Sequence, residues 1–378
     1  MALNSEPQAG CSAAVPDLKR SGEIGRVFVL KPDEIGDFVL VTGALRVLEK
    51  HFGQAGLILA VSAAVAPLAR MQFPAATVIP LAFHRRRKLV NVTLINILLN
   101  LPALFKLAGR RVEAAVCLRS MRNYLQTVLF YSVRARRYIA CTNLLSTRKS
   151  RRRSVVEHGV KCLFRPELLP YPPPGEHVPS ELEANRLVVC AALGREVEPA
   201  EIFPVLDPGL PEVPLDQGAW VLCPFSSSVT KDYPVDRWVE ALLPLSGERE
   251  KRPILLTSSP AQSEQLKIFA AVLKNAGIGP LELRCGGGLP ELVRLLSGAA
   301  LILTVDTATA HIACALRRRA VIVHTGQHPG VYGPYSPDGG QIWVRPLPPF
   351  KAKKWWDKVD PSRVTSAVQE VLGKKAEA

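Results

Sequence analysis

The chain has 378 residues, a length that predicts two domains rather than one core. Its 48% hydrophobic content and mean hydropathy of +0.12 favour a folded globular protein over intrinsic disorder. The net charge of +15 is concentrated in residues 51–153, where 18 Lys and Arg residues face the single acid Glu113. Such a local field indicates a polyanionic partner: nucleic acid, anionic lipid or a phosphorylated sugar.

The eight cysteines form no CxxC pair and no cluster with metal-ligand spacing. Scattered cysteines in apolar contexts are typical of reduced residues in a cytosolic protein. Residues 1–25 lack the apolar core of a secretory signal, and we expect them to form a loose tail.

Apolar runs alternate with segments of helical periodicity in the first half of the chain. Residues 26–30 (RVFVL) predict a strand buried on both faces, and residues 38–51 predict the helix that follows it. Further strands are predicted at 56–60, 76–79 and 113–118. Alternating strands and helices indicate an α/β sheet with right-handed crossovers.

Residues 89–105 (LVNVTLINILLNLPALF) are almost long enough to cross a bilayer, but three Asn and one Pro interrupt them. This pattern favours a buried or interfacial helix over a membrane span. Arg85, Arg86, Arg87 and Lys88 come immediately before it. Together they would suit a helix lying against anionic headgroups.

The second half repeats the alternation and predicts a doubly wound sheet. The predicted strands are 219–224, 252–257, 282–284, 300–304 and 320–324, and the helices are 236–245, 263–276, 289–297 and 310–316. The prolines of residues 203–217 predict a linker, and residues 354–372 have the pattern of an amphipathic helix. The predicted organisation is a tail (1–25), an N-terminal Rossmann-like domain (26–203), a linker (204–217), a C-terminal Rossmann-like domain (218–350), and a final helix and tail (351–378). Ligands of such sheets bind at the carboxyl ends of the strands, here in a cleft between two domains.

The first candidate site is the turn KPDEIGD, residues 31–37. Gly36 permits a tight turn, and Asp37 stands near the start of the next helix. Local physics favours Asp37 as a helix cap, and the functional alternative is a general base facing the cleft. Asp33 and Glu34 are expected to be solvated loop charges.

The second candidate is the loop PFSSSVTKDYP, residues 224–234, which follows a predicted strand. Ser226, Ser227 and Ser228 supply hydroxyls and Lys231 supplies a cation, a combination that can hold a diphosphate. The alternative is an ordinary polar loop. The chain contains no GxxxxGK[ST] motif.

The third candidate is TVDTATAHIA, residues 304–313, which joins a predicted strand to a helix. Asp306 and Thr307 stand at the strand end, and the amides of a helix N-terminus form a natural anion site. Asp306 could instead be a cap, and His311 a satisfied helix histidine. The loop 325–335, rich in Gly and Pro, lies at the same predicted edge and is a weak signal by itself.

A GD turn, a K-x-[WY]-P loop and a DT-x-x-x-H turn together resemble glycosyltransferase family 9, whose best-known members are the ADP-heptose:lipopolysaccharide heptosyltransferases. The resemblance covers about residues 26–372. It implies the GT-B fold, with the donor in the C-terminal domain and the acceptor in the N-terminal domain. It also implies an inverting reaction without metal or cofactor, in which an ADP-sugar is the co-substrate.

The resemblance assigns roles residue by residue. Asp37 matches the catalytic base, and Lys231 matches the lysine that neutralises the donor phosphates. Asp306, Thr307 and His311 match residues around the diphosphate and sugar, and Ser226 to Ser228 match phosphate contacts.

The sequence also departs from the family pattern. Ala308 replaces the usual glycine, and its Cβ could limit backbone approach to phosphate. The acid that contacts the ribose should lie within residues 258–264, where both Gln262 and Glu264 are candidates. These departures leave the sugar and the nucleotide base open.

The basic region suggests an anionic glycolipid acceptor, with Arg85, Arg86, Arg87, Lys88, Arg119 and Arg122 as candidate contacts. The expected location is the cytoplasm, peripheral on the inner face of the cytoplasmic membrane. One alternative is a family member that uses another nucleotide sugar or a protein acceptor. Another is a non-catalytic protein that binds glycolipid or nucleic acid. With 6% aromatics and no recognition motif, nucleic acid is not expected.

Overall fold

A computed structural model describes the chain in twelve stretches: residues 25–82, 92–118, 124–142, 163–170, 180–211, 218–245, 247, 252–327, 330–333, 335, 340–349 and 352–373. These stretches contain two six-stranded sheets with parallel strand pairs, each with helices packed on it. The predicted fold of two Rossmann-like α/β domains is confirmed.

The first sheet has the strand order β3-β2-β1-β4-β5-β6. Its strands are β1 (Val27–Lys31), β2 (Leu57–Ser62), β3 (Thr77–Leu81), β4 (Arg111–Cys117), β5 (Arg134–Thr142) and β6 (Glu167–Pro170). Its helices are α1 (Ile35–Val39), α2 (Thr42–Phe52), α3 (Ala66–Gln72), α4 (Val92–Leu99), α5 (Leu101–Leu107), α6 (Tyr124–Phe130) and α7 (Glu181–Leu193). The central strand β1 is buried along its whole length, as its apolar sequence predicts.

The second sheet has the strand order β12-β11-β10-β7-β8-β9. Its strands are β7 (Trp220–Cys223), β8 (Ile254–Ser258), β9 (Leu281–Cys285), β10 (Leu301–Val305), β11 (Ala320–Val323) and β12 (Gln341–Val344). Its helices are α8 (Val235–Leu242), α9 (Ser263–Asn275), α10 (Leu289–Ser297), α11 (Ala308–Ala315) and α12 (Pro361–Gly373). Helix α12 packs on α8 and β11, so the C-terminal helix belongs to this sheet.

One predicted helix differs from the structure, and strands β5, β6 and β12 were not predicted. The single helix predicted over residues 38–51 is wrong: the structure has α1 and α2, separated at Leu40 and Val41. Because α1 begins at Ile35, Asp37 lies inside its first turn rather than before it. Strand β5 was missed because Arg134, Arg136 and Arg137 conceal its apolar side chains.

Within the apolar segment at 89–105, the described residues begin at Val92 and belong to two short helices, α4 and α5, which meet at Asn100. No helix in the described stretches combines the length and apolar composition that crossing a bilayer requires.

The two sheets meet through α1 against α11 and through α3 against α10. Apolar side chains on both sides of this contact form one continuous core, which includes Phe38, Leu68, Val293 and Ile312. The start of the predicted linker is held on the first domain, since the Val205 amide donates to Thr42 Oγ1 at 3.0 Å. The packing therefore brings the turn that carries Asp37 against the N-terminal turn of α11.

Candidate active site

A cavity of about 760 Å³ lies between the two domains. On one side it is lined by the first turn of α1, including Gly36 and Asp37. The other side is formed by the loops at the carboxyl ends of strands in the second sheet: Ser226, Ser227, Lys231, Gln262, Arg284, Asp306, Thr307, Ala308 and His311 are among its lining residues. Residues predicted from three separate stretches of sequence therefore line one cavity.

Asp37 lines the cavity and is half-buried. Burial raises its pKa above the ordinary value for aspartate; nearby Lys31 opposes that rise, and the carboxylates of Glu181 and Glu34 add to it. The backbone of Glu34 also opposes the rise in the Asp37 pKa. The N-cap of α1 is Glu34, so Asp37 is not the cap residue; it lies in the first turn of the helix and lines the cleft.

Behind Asp37 lies a buried charge cluster of Lys31, Asp33 and Glu181. The Lys31 side chain is 1% exposed, and its Nζ lies 3.1 Å from Asp33 Oδ2 and 3.0 Å from Glu181 Oε1. Lys31 Nζ also donates to the Leu118 carbonyl at 2.9 Å. The prediction that Asp33 is a solvated loop charge is wrong, because it is buried in an ion pair with Lys31. Sequence analysis missed Lys31 and Glu181 as members of the site, because their proximity arises from the tertiary fold.

The serine loop uses some of its hydroxyls to hold its own shape. Ser226 is buried: its amide donates to Asp232 Oδ1 at 2.7 Å, and its hydroxyl donates to the Ser228 carbonyl at 2.6 Å. Ser228 Oγ lies 2.8 Å from Thr230 Oγ1 on the exposed side of the loop. Of the three serines, Ser226 and Ser227 line the cavity, and the exposed Ser227 makes its hydroxyl available there.

Trp355 holds the residue that precedes Lys231. Its indole is fully buried, and Nε1 donates to the Thr230 carbonyl at 2.9 Å, next to Lys231 in the same turn. Trp355 lies at the start of the predicted terminal segment, residues 354–372, where nothing in the local sequence indicates a role at the site. Only the packing of that segment on the second sheet brings the tryptophan to the serine loop.

Lys231 pairs with Asp306 across the second sheet. Lys231 Nζ lies 3.2 Å from Asp306 Oδ2, and Thr325 Oγ1 lies 3.5 Å from the same oxygen. The Gly326 amide donates to His324 Nδ1 at 2.9 Å, so the ring proton of neutral His324 sits on Nε2, which is 3.8 Å from Asp306 Oδ2. Asp306 therefore gathers Lys231, Thr325 and His324 at the strand ends.

Helix α11 begins immediately after Asp306, with Thr307 as its N-cap and Ala308 as its first residue. The Thr307 side chain makes no capping hydrogen bond, and both residues line the cavity. The first N–H groups of a helix lack intrahelical partners and lie at the positive end of its dipole. This end of the cavity therefore favours an anion.

His311 lies one turn into α11 and is buried. Burial lowers its pKa to about 4, despite the opposing effect of Asp306, so the imidazole is neutral at pH 7. Its Nδ1 has no hydrogen-bond partner among the described residues. The alternative of a satisfied helix histidine does not describe this environment, since the ring both lines the cavity and keeps an unused polar atom.

The two candidates for the ribose contact, Gln262 and Glu264, differ in position: only Gln262 is among the residues that line the cavity. Gln262 lines the cavity, and its Nε2 donates to the Ser226 carbonyl at 2.8 Å. Glu264 is exposed on α9 and pairs with Lys267 at 2.7 Å. Arg284 and Cys285, at the end of β9, also line the cavity. They were missed because β9 is largely exposed and carries no distinctive motif.

The predicted acceptor contacts Arg85, Arg86, Arg87, Lys88, Arg119 and Arg122 lie outside the described residues. Within the stretches that the structure describes, no group of three or more His, Cys, Asp or Glu side chains could hold a metal ion.

Comparison with known proteins agrees with this architecture. The sequence model for glycosyltransferase family 9 (heptosyltransferase) matches residues 134–360. Lipopolysaccharide heptosyltransferase 1 of Escherichia coli K12 is 30% identical over 132 residues, which are 34% of this chain and 38% of that protein. The alignment thus spans well under half of this curated relative.

Solved structures share the fold over most of the chain. The Escherichia coli heptosyltransferase WaaC with ADP has a TM-score of 0.66 at 18% identity and covers 92% of this chain and 99% of its own. The same enzyme with ADP-2-deoxy-2-fluoro heptose gives a TM-score of 0.63 at 17% identity, covering 91% of this chain and 99% of its own. The Escherichia coli ADP-heptose lps heptosyltransferase II gives 0.64 at 17% identity, covering 92% and 98%. At these identities the likeness shows the fold.

Proposed function

Because the chain belongs to glycosyltransferase family 9, we propose that it transfers a heptose or a related sugar from an ADP-sugar to a lipopolysaccharide core or lipid A-type acceptor. The family and the GT-B fold make it a glycosyltransferase. The observation that carries the finer proposal is the position of Asp37 on one side of the cavity, opposite Lys231 and the start of α11 on the other. A base and an anion site that face each other are what a displacement at a phosphorylated carbon requires.

The proposed reaction is a single displacement with inversion. An acceptor hydroxyl oxygen bonds to the anomeric carbon, the bond from that carbon to the diphosphate oxygen breaks, and Asp37 takes the hydroxyl proton. The nucleoside diphosphate leaves with the electron pair of the broken bond. The proposal includes neither metal nor cofactor, and the ADP-sugar is a co-substrate.

Lys231 and the first amides of α11 would stabilise the charge that grows on the departing diphosphate. Lys231 Nζ is held 3.2 Å from Asp306 Oδ2, so a phosphate can approach a lysine that is already oriented. Neutral His311 can donate a hydrogen bond to the donor without placing a second full charge in the cavity. Thr307 and Ala308 would contact the diphosphate, and Ser227 would supply a hydroxyl.

Two observations support a donor site with features of its own. The Cβ of Ala308 lies in the first turn of the helix, where the family usually has glycine. The Gln262 side-chain amide donates a hydrogen bond to the Ser226 carbonyl. This contact supports a role in positioning the serine loop rather than the role of the acid that binds the ribose. These features are also compatible with the alternative that the donor is another nucleotide sugar.

The proposed acceptor is an anionic glycolipid, and the basic excess of residues 51–153 supports it. Arg85, Arg86, Arg87, Lys88, Arg119 and Arg122 are proposed as its contacts. The proposed location is the cytoplasm, with peripheral attachment to the inner face of the cytoplasmic membrane. No nucleic acid partner is proposed.

A thermal-shift panel tests the donor. ADP, UDP, GDP, CMP and ADP-heptose would be added to the wild type, to Lys231→Ala and to the control Lys267→Ala, which removes an exposed lysine of the same domain. A ligand at 100 times its dissociation constant stabilises a fold by about 2.7 kcal/mol. The proposal expects stabilisation by ADP species in the wild type and control, and its loss in Lys231→Ala.

Other outcomes of the panel change the proposal in defined ways. Stabilisation by another nucleotide alone would overturn the ADP-sugar assignment and keep the transferase. No response to any nucleotide would favour a non-catalytic binding protein. Transfer of radiolabelled sugar to a purified core-lipid acceptor then tests the acceptor directly.

A further inference from the structure

Helices α4 and α5 expose a run of large apolar side chains. The exposed fractions are 55% for Leu98, 50% for Leu99, 38% for Leu101 and 78% for Phe105. Phe105 has the highest exposure of any large hydrophobic residue in the described stretches. These four residues, which we call the patch, fall within eight positions of the chain, whereas scattered exposed hydrophobic residues need no explanation.

The exposure follows the helix geometry. In α5, Leu101 and Phe105 are four residues apart and share one face, while Ala103 and Leu107 are buried on the opposite face in the core of the first domain. Ile97 and Leu104 also pack against that core. The helices therefore already have a buried apolar side, and the exposed side is surplus to what folding of this domain uses.

The charge beside the patch is entirely positive. Lys106 and Arg111 are exposed, and Arg110 stands between them, with its Nε bonded to the Lys106 carbonyl at 2.6 Å. The sequence from 92 to 112 contains these three cations and no acid. An anionic lipid surface complements both the apolar residues and the cations. A second copy of the same patch would bring like charges together.

Hydrogen bonds connect the junction of α4 and α5 to the carboxyl edge of the first sheet. Asn100 is buried between α4 and α5, and its Oδ1 accepts from the Ala82 amide at 3.0 Å while its Nδ2 donates to the Ala82 carbonyl at 2.7 Å. Ala82 directly follows the carboxyl end of β3. In a parallel sheet this is the same edge at which β1 ends and leads to Asp37.

We propose that the apolar face of Leu98, Leu99, Leu101 and Phe105, flanked by Lys106, Arg110 and Arg111, docks the enzyme on an anionic lipid bilayer. The inference rests on the proposed glycolipid acceptor and adds the surface that meets the membrane. Asn100 ties this face to the carboxyl edge of the first sheet, whereas Arg110 and Arg111 lie at the amino end of β4, so docking lays the side of the first domain along the bilayer.

Vesicle co-sedimentation of the full chain, without donor or acceptor, tests the proposal. The vesicles would be phosphatidylcholine alone, and phosphatidylcholine with about one-third phosphatidylglycerol. The variants are the double substitution Leu98→Ser/Phe105→Ser, the charge variant Lys106→Gln/Arg111→Gln, and the control Ile268→Ser. Ile268 is 69% exposed on α9 of the other domain. Ile268→Ser therefore also replaces an exposed apolar side chain with serine, but at a distance from the patch.

The expected result is binding of the wild type and the control to the anionic vesicles. The apolar variant should bind about tenfold or more weakly, because two large side chains no longer enter the interface. The charge variant should lose its preference for phosphatidylglycerol, and 0.5 M salt should weaken wild-type binding.

Unchanged binding of Leu98→Ser/Phe105→Ser, or an equal loss in Ile268→Ser, would overturn the proposal. So would a wild-type dimer in light scattering that Phe105→Ser disperses, with no vesicle binding. Thermal melting of each variant with and without ADP checks that its fold and donor site are intact. Because sedimentation uses no substrate, a failed donor assignment leaves this result readable, and a failed docking surface leaves the ADP response unchanged.

Discussion

Gly36 and His311 touch across the boundary between the two domains. A Cβ atom at residue 36 would lie 2.7 Å from His311 Cδ2 and 3.5 Å from the Ala308 Cα atom. Gly36 lies within α1, so the glycine serves close approach rather than an unusual backbone angle. The contact couples the helix that carries Asp37 to the helix that begins at the anion site.

Replacing Gly36 with alanine should therefore reduce sugar transfer while the first domain stays folded. Within α1 alanine is the better helix former by about 1 kcal/mol, so the first domain should remain folded. The added methyl must displace His311 or part the domains, and we expect sugar transfer to fall about 10²-fold, as misplaced catalytic groups do. Steady-state kinetics and circular dichroism measure the two effects.

Gly340→Ala is the matched control, since no atom lies within 4 Å of the added Cβ. It should leave transfer unchanged. Full activity in Gly36→Ala would show that the α1–α11 contact is not required for transfer.

Asp37→Asn should remove the proposed base and stabilise the protein. Transfer should fall by about 10²–10⁴-fold, the usual effect of losing a positioned base. Burial raises the folded-state pKa of Asp37, so the folded protein holds this proton more tightly than the unfolded chain. Its favourable contribution is present at low pH and is lost as the pH rises, and at neutral pH the ionised carboxylate opposes folding. The neutral amide avoids this, so the melting temperature of the variant at pH 7.5 should exceed that of the wild type.

Glu181→Gln should shift the pH dependence of transfer. The Glu181 carboxylate raises the pKa of Asp37, and its removal should lower that pKa. The base then ionises at lower pH, and the acidic limb of the kcat profile should move down. Glutamine keeps an oxygen for the hydrogen bond from Lys31.

Glu183→Gln, on the same helix but paired with Arg186, is the control for this shift. Its profile should match the wild type. A shift of equal size in both variants would point to the overall charge of α7 rather than to Glu181.

The sequence was sufficient to predict the central strands of both sheets, because most of them are continuous apolar runs, but it did not predict β5, β6 and β12. It also predicted the stretches that contain Asp37, Lys231 and Asp306, since each follows such a strand. It did not predict the charge cluster of Lys31, Asp33 and Glu181. Lys31 and Glu181 are 150 residues apart in sequence, and only the tertiary packing brings them together. Nor did it predict Trp355 behind Lys231, because a tryptophan before an amphipathic helix has no local feature that links it to a distant loop.

Gln262→Ala should weaken donor binding, and Glu264→Ala should not. Gln262 Nε2 holds the Ser226 carbonyl at 2.8 Å, and Ser259 donates to Gln262 Oε1 at 2.8 Å, so the side chain ties the loop after β8 to the serine loop. Losing such hydrogen bonds costs about 1 kcal/mol, a several-fold change in dissociation constant. Glu264 is exposed and pairs only on its own helix with Lys267, among the contacts of the described residues. Isothermal titration with ADP compares the two; equal weakening would return Glu264 to the site.

His311 should make the protein lose stability as the pH falls. Its folded-state pKa is lowered from 6.5 to about 4 by burial, so between these values the unfolded chain binds the proton and the folded protein does not. Stability due to this group is therefore present above about pH 6.5 and declines below it. From pH 7.5 to pH 5 the expected loss is about 2 kcal/mol, the free energy of protonating the released imidazole at pH 5. His311→Gln cannot take up this proton, so its free energy of unfolding should fall by about 2 kcal/mol less over the same range. Urea unfolding followed by tryptophan fluorescence at both pH values measures the difference, and parallel losses in the two proteins would mean that His311 is already charged, or solvated, in the folded state.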